Sequence, residues 1–93
     1  MIYARLKEIF DVTPKLAHEQ RYHSFSDGVK VISKYCYSDQ PNLQVVDGEI
    51  HYGCLDEVLP NLTEDDAKTL ARNGWEISNL FDATQPSYFT FQT

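Results

Sequence analysis

The chain has 93 residues, 42% apolar and 13% aromatic, with 14 acids against 8 Lys and Arg and a formal net charge of −6. That length allows one domain over residues 1–93 with a small core, and the aromatic content excludes a disordered tail. No apolar run approaches the roughly 20 residues of a membrane span, the first residues do not form a signal peptide, and two cysteines cannot make a disulfide scaffold. A reduced, cytoplasmic protein is the expectation.

Residues 2–10 predict an amphipathic helix. Ile2, Tyr3, Leu6, Ile9 and Phe10 share one side, and Arg5, Lys7 and Glu8 take the other. Thr13-Pro14 reads as an N-cap followed by a first helical residue, which predicts a short helix over 14–22. Residues 29–37 fit two patterns. A period of two puts Val29, Val31, Tyr35 and Tyr37 on one strand face. A helical period gathers Val29, Val31, Ile32, Tyr35 and Cys36 opposite Lys30, Ser33 and Lys34, with Ser26 or Asp27 as cap. The β-branched content favours strand, and the separation of the lysines favours helix, which is the reading taken.

Residues 43–52 predict a β-hairpin around Asp47-Gly48, a type I′ turn signal. Residues 62–74 carry the fullest set of helix signals. Thr63 is the N-cap. Glu64, Asp65 and Asp66 stand at the positive end of the helix dipole, and Asp66 completes a variant capping box. Ala67, Leu70 and Ala71 make the inward stripe, with Leu62 and Ala67 as a hydrophobic staple. Asn73-Gly74 supplies a left-handed exit. Residues 75–80 and 88–92 predict two strands joined by a loop over 81–87, with Trp75 and Ile77 near Phe89 and Phe91. The class is α+β: N-terminal helices followed by a small antiparallel sheet of two hairpins with a helix between them.

Little in the chain points to catalysis. His18 and His23 are five apart and do not share a helix face, and no Cys-x-x-Cys exists. His51 and Cys54 would point to opposite sides of a regular strand. Cys54 beside His51 could act as a thiol nucleophile, but a small apolar residue at a strand end is the simpler reading, and Cys36 reads as core. Asp56-Glu57 and Glu64-Asp65-Asp66 lack the apolar flanks that would raise a carboxyl pKa. The four glycines are scattered and make no phosphate loop. No enzyme, metal or cofactor is expected.

The charge is unevenly placed. Residues 1–38 hold six cations against four carboxylates, net +2, and residues 39–93 hold two against ten, net −8. From Asp39 through Asp66 there are eight acids and no Lys or Arg. Such a field repels nucleic acid and attracts basic surfaces, although ordinary solubilising charge would look the same.

The run from Leu62 through Ile77, followed by Tyr88-Phe89-Thr90-Phe91, resembles small accessory proteins of phages and mobile elements, in which a capped helix ends in Gly-Trp and leads into an aromatic hairpin. The resemblance covers about a third of the chain and carries no catalytic residue. It implies an inhibitor of host or rival enzymes. Immunity proteins paired with nuclease toxins are similar in composition.

The expected function is therefore a non-catalytic acidic protein-binding module, of the anti-defence (anti-CRISPR) or toxin-immunity type. It would bind a nucleic-acid-acting enzyme, through a basic surface on that partner, by mimicking nucleic-acid charge. The expected partner-binding residues are Asp47, Glu49, Tyr52, Asp56, Glu57, Glu64 and Asp65, with Asp66 beside them. Tyr52 and Tyr37 would serve as anchors if exposed. A membrane partner is not expected, direct nucleic-acid binding is disfavoured, and a homodimer is compatible with the composition. The alternative is a small DNA-binding transcriptional regulator that uses Arg5, Lys7, Lys15, Arg21, Lys30 and Lys34 on its N-terminal helices, in a helix-turn-helix over residues 2–37.

Overall fold

The computed structural model describes residues 1–17, 23–36, 43–77 and 88–92. In chain order these form α1 (Tyr3–Val12), α2 (Ser24–Ser33), β1 (Leu43–Val46), β2 (Glu49–Cys54), α3 (Leu55–Val58), a 3-10 turn (Leu59–Asn61), α4 (Glu64–Arg72), β3 (Glu76–Ile77) and β4 (Tyr88–Gln92). The strands make one antiparallel sheet in the order β1-β2-β4-β3. Pairing of β2 with β4 thus merges the two expected hairpins into a single surface.

The α4 exit organises the core. Thr63 Oγ1 accepts the Asp66 N–H at 3.2 Å and starts the helix. At the other end Gly74 takes φ +83°, the Trp75 N–H reaches the Leu70 carbonyl at 3.1 Å, and the Gly74 N–H reaches Ala71 at 3.1 Å. These two bonds define a Schellman exit, in which glycine supplies the left-handed residue and a large apolar side chain follows it. Trp75 is driven inward and is wholly buried. Its indole N–H donates to the Ser24 carbonyl at 3.0 Å, and its ring stacks on Phe25 at 5.9 Å and 14°. Phe91 packs tilted against it at 5.3 Å. Ser24 Oγ in turn donates to Asn73 Oδ1 at 3.1 Å, so α2 is tied to the end of α4 through its first residue. Burying an indole of this kind stabilises the fold by about 4–6 kcal/mol from apolar area alone.

Two glycines mark where backbone replaces side chain. A Cβ on Gly28 of α2 would lie 1.9 Å from Trp75 Nε1, so glycine admits the ring against the helix. Gly53 has φ +79°, and a Cβ there would meet Ile32 Cγ2 at 2.3 Å. The β2–β4 register shifts between Tyr52 and Cys54, which makes this a bulge that seats α2 on the sheet.

Most predicted elements form, with local differences. α1 and the Asp47-Gly48 hairpin appear as expected, with Asp47 at φ +51° and Gly48 at φ +78°. The alternative over 29–37 resolves as helix, but α2 begins at Ser24, ends at Ser33, and has His23 rather than Ser26 or Asp27 at its N-cap. Ser24 is drawn into the first turn because its carbonyl and hydroxyl hold Trp75 and Asn73. Residues 14–17 are not helical. The Thr13 N–H closes α1 on the Ile9 carbonyl at 3.0 Å, the Leu16 N–H bonds the Arg72 carbonyl at 2.8 Å, and Lys15 pairs with Glu76 at 2.8 Å. The chain is therefore pinned as a strap across the α4 exit instead of coiling. Trp75 precedes β3 rather than belonging to it. The rest of the expected helix over 18–22, Tyr37, and the strand over 78–80 lie outside the described residues.

Replacing Gly28 with Ala tests the helix–indole contact. Alanine favours the helix by about 1 kcal/mol, but the overpacked Trp75 ring costs more, for a net loss of about 1–2 kcal/mol in urea unfolding. An unchanged midpoint would contradict the close approach.

Candidate functional site

The acids expected to bind a partner stand on different elements of the fold. Asp47 sits in the β1–β2 turn, whereas Asp56 and Glu57 lie in the first turn of α3. The six residues of β2 put about 17 Å between those places. Glu64 and Asp65 follow at the start of α4.

Several of these acids are already engaged. Glu64 accepts from Arg5 Nε at 2.8 Å, and this guanidinium, first by hydrogen bond and then by charge, holds the carboxyl below its usual range. Arg5 also reaches Glu8 at 2.6 Å and is itself held protonated more firmly, chiefly by Glu64. Glu49 lies 3.4 Å from His51 Nε2 and accepts from Gln92 at 3.4 Å. Burial opposes ionisation of Asp66, but hydrogen bonds from Tyr35 and Lys34 outweigh it and lower its pKa. Asp47, Asp56 and Asp65 differ. They are exposed, and none has an ion-pair partner among the described residues.

Tyr52 is no surface anchor. It is 5% exposed, lies opposite Phe89 in the ladder, and its hydroxyl meets Ser33 Oγ at 2.7 Å. The alternation of Ile50 and Tyr52 places both on the helix-facing side of β2, a signal present in the sequence. Tyr37 lies outside the described residues.

Three cations of the N-terminal segment are engaged in ion pairs within the molecule. Arg5 bridges to α4, Lys15 to β3 and Lys34 to Asp66 at 3.4 Å. Between α1 and α2 the described residues, 13–17 and 23, are not helical, and the remainder of the expected helix-turn-helix over 2–37 lies outside the described residues. Lys7 and Lys30 are exposed without a described ion-pair partner; Arg21 lies outside the described residues.

Chemistry at the thiols is muted. Cys36 and Cys54 are free and half-buried. Burial, then Glu57, then Cys54 raise the Cys36 pKa, which keeps it a thiol rather than a nucleophilic thiolate. His51 lies edge-on to Tyr88 at 6.4 Å, and the Gly53 bulge breaks the alternation assumed between His51 and Cys54. Among the described residues no three His, Cys, Asp or Glu gather as a metal site. An open cleft of about 530 Å3 runs beside α1, lined by Tyr3, Lys7, Phe10, Asp11, Lys15 and Glu76 among others, with charges of both signs.

Sequence reasoning did not single out Leu43 and Val45, which are 52% and 65% exposed on an outer strand. The usable signal was a strand with no charged residue just before an Asp-Gly turn. No family model, no curated protein and no solved structure matches the chain.

The lowered Asp66 pKa sets an acid limb of stability. Its contribution is full above the ordinary value of 3.8 and is lost as pH falls through the lower folded value. Asp66→Asn should cost about 1–3 kcal/mol at pH 7 and flatten the loss of urea resistance as pH falls below the ordinary value of 3.8. A variant whose acid limb matches the parent would remove Asp66 from this role.

Proposed function

We propose that the protein is a non-catalytic, acidic protein-binding module of the cytoplasm that occupies a basic surface on a nucleic-acid-acting enzyme, as phage inhibitors or immunity proteins do. One observation carries this reading. Arg5, Lys15 and Lys34 are consumed by internal ion pairs, while Asp47, Asp56 and Asp65 stand exposed without described partners. Each pair takes up one cation and one carboxylate, so the net charge of −6 is unchanged, and the acids left exposed without a described cation include these three.

The mechanism is steering followed by local contact. Acids at the hairpin turn and at the α3 and α4 starts draw in a cationic groove, and they do so as separated points rather than one dense patch. Glu49, Glu57 and Glu64 support the same field at lower strength, since Glu49 and Glu64 are already partnered. The regulator alternative needs free cations on the N-terminal helices, and the internal pairs count against it. No helix among the described residues is long and apolar enough to cross a membrane.

Association with purified nucleases and RNA-guided effectors, measured at low and high salt, tests the proposal. A partner should be found whose association slows steeply with salt, and the combined reversal of Asp47, Asp56 and Asp65 to Lys should slow it about tenfold or more. Binding indifferent to both would sink the charge mechanism. DNA retardation lost on neutralising Lys7 and Lys30 would favour the regulator instead.

A further inference from the structure

We propose that β1 is a docking edge, which pairs with an extended, basic segment of a partner protein by strand addition. The inference rests on the protein-binding reading above and names the kind of segment that binds.

The two edges of the sheet differ. Two residues of β3 are described, and the Lys15–Glu76 ion pair at 2.8 Å sits on it. Charge is one of the usual protections of an exposed edge. β1 has four residues, Leu43-Gln44-Val45-Val46, with no charge and no proline. The helix layer that covers Phe89 and Phe91 leaves its apolar side chains open, with Leu43 at 52% and Val45 at 65% exposure.

The register shows what this edge offers. A two-residue turn makes Val46 and Glu49 the hydrogen-bonded closing pair. Alternation then makes Gln44 with His51 a bonded pair, and leaves Val45 with Ile50 and Leu43 with Tyr52 as non-bonded pairs. The N–H and C=O of Leu43 and Val45 therefore point away from β2, toward an incoming strand. The same two residues present both the apolar side chains and the open backbone groups.

Charge selects the occupant. Asp47 adjoins the strand, exposed and without an ion-pair partner among the described residues, and Glu49 follows it. A Lys or Arg just beyond the pairing register of an incoming strand meets Asp47, while an acidic segment is repelled. A second copy of the chain brings another −6, and its own β1 lies in the stretch from Asp39 through Asp66 that holds no Lys or Arg. An extended segment with apolar residues at alternate positions and flanking cations fits best.

The full chain, labelled for amide exchange, should be titrated with an alternating Lys/Val hexapeptide and with its Glu/Val counterpart. The Lys/Val peptide should slow exchange of the Leu43 and Val45 amides about tenfold or more and leave Gln44, already laddered to His51, unchanged. Val45→Pro should abolish peptide binding, because that N–H is not used by the β1–β2 ladder; Val45→Thr should retain it. The proposal is overturned if the Lys/Val peptide protects neither amide, if Glu/Val protects equally, or if folded Val45→Pro still binds. Self-association through Leu43 and Val45 would also overturn it, by making a second copy the occupant. If charge reversal abolishes partner association and Val45→Pro does not, the edge proposal fails while the functional reading stands.

Discussion

The fold depends on one buried indole. Trp75 leaves the Gly74 exit of α4 and enters the space between α2 and the sheet, where three kinds of contact hold it: a hydrogen bond to the Ser24 carbonyl, stacking on Phe25, and packing against Phe91 of β4. Gly28 admits the ring, because its missing Cβ lets the indole approach the helix backbone. A small domain has few such contacts to spare, because so much of its surface stays in water. Here the contacts converge on one side chain that joins α2, α4 and β4.

With α2 fixed in this way, the rest of the surface follows. The Gly53 bulge seats Ile32 on β2, and Tyr52 is pulled beneath Ser33. Helices then cover the middle of the sheet, and the first strand lies beyond their reach. The charge distribution is set by the same packing. α1 rests on α4, so Arg5 meets Glu64; α2 ends beside the α4 start, so Lys34 and Tyr35 meet Asp66. Cations that looked available in the linear sequence become ties between helices.

Local signals were the legible ones. Thr63, Gly74 and Asp47-Gly48 act through backbone geometry within a few residues, and each predicted its element. Signals that rely on distant partners were not legible. The Thr13-Pro14 pair has the chemistry of a helix start, but Leu16 is held by Arg72, 56 positions away, and the chain stays extended. α3 is only four residues long and too short to show a period. The Arg5–Glu64 pair spans 59 positions, and the acidic run gave no hint of which carboxylates would be satisfied.

Exchange of the Trp75 indole hydrogen, followed with increasing urea, tests the central claim most directly. If this side chain locks the helix layer to the sheet, its N–H exchanges only when the whole molecule opens, and its urea dependence matches that of global unfolding. Exchange that is fast and insensitive to urea would mean that the indole escapes by local motion, and that some other contact holds the layers together.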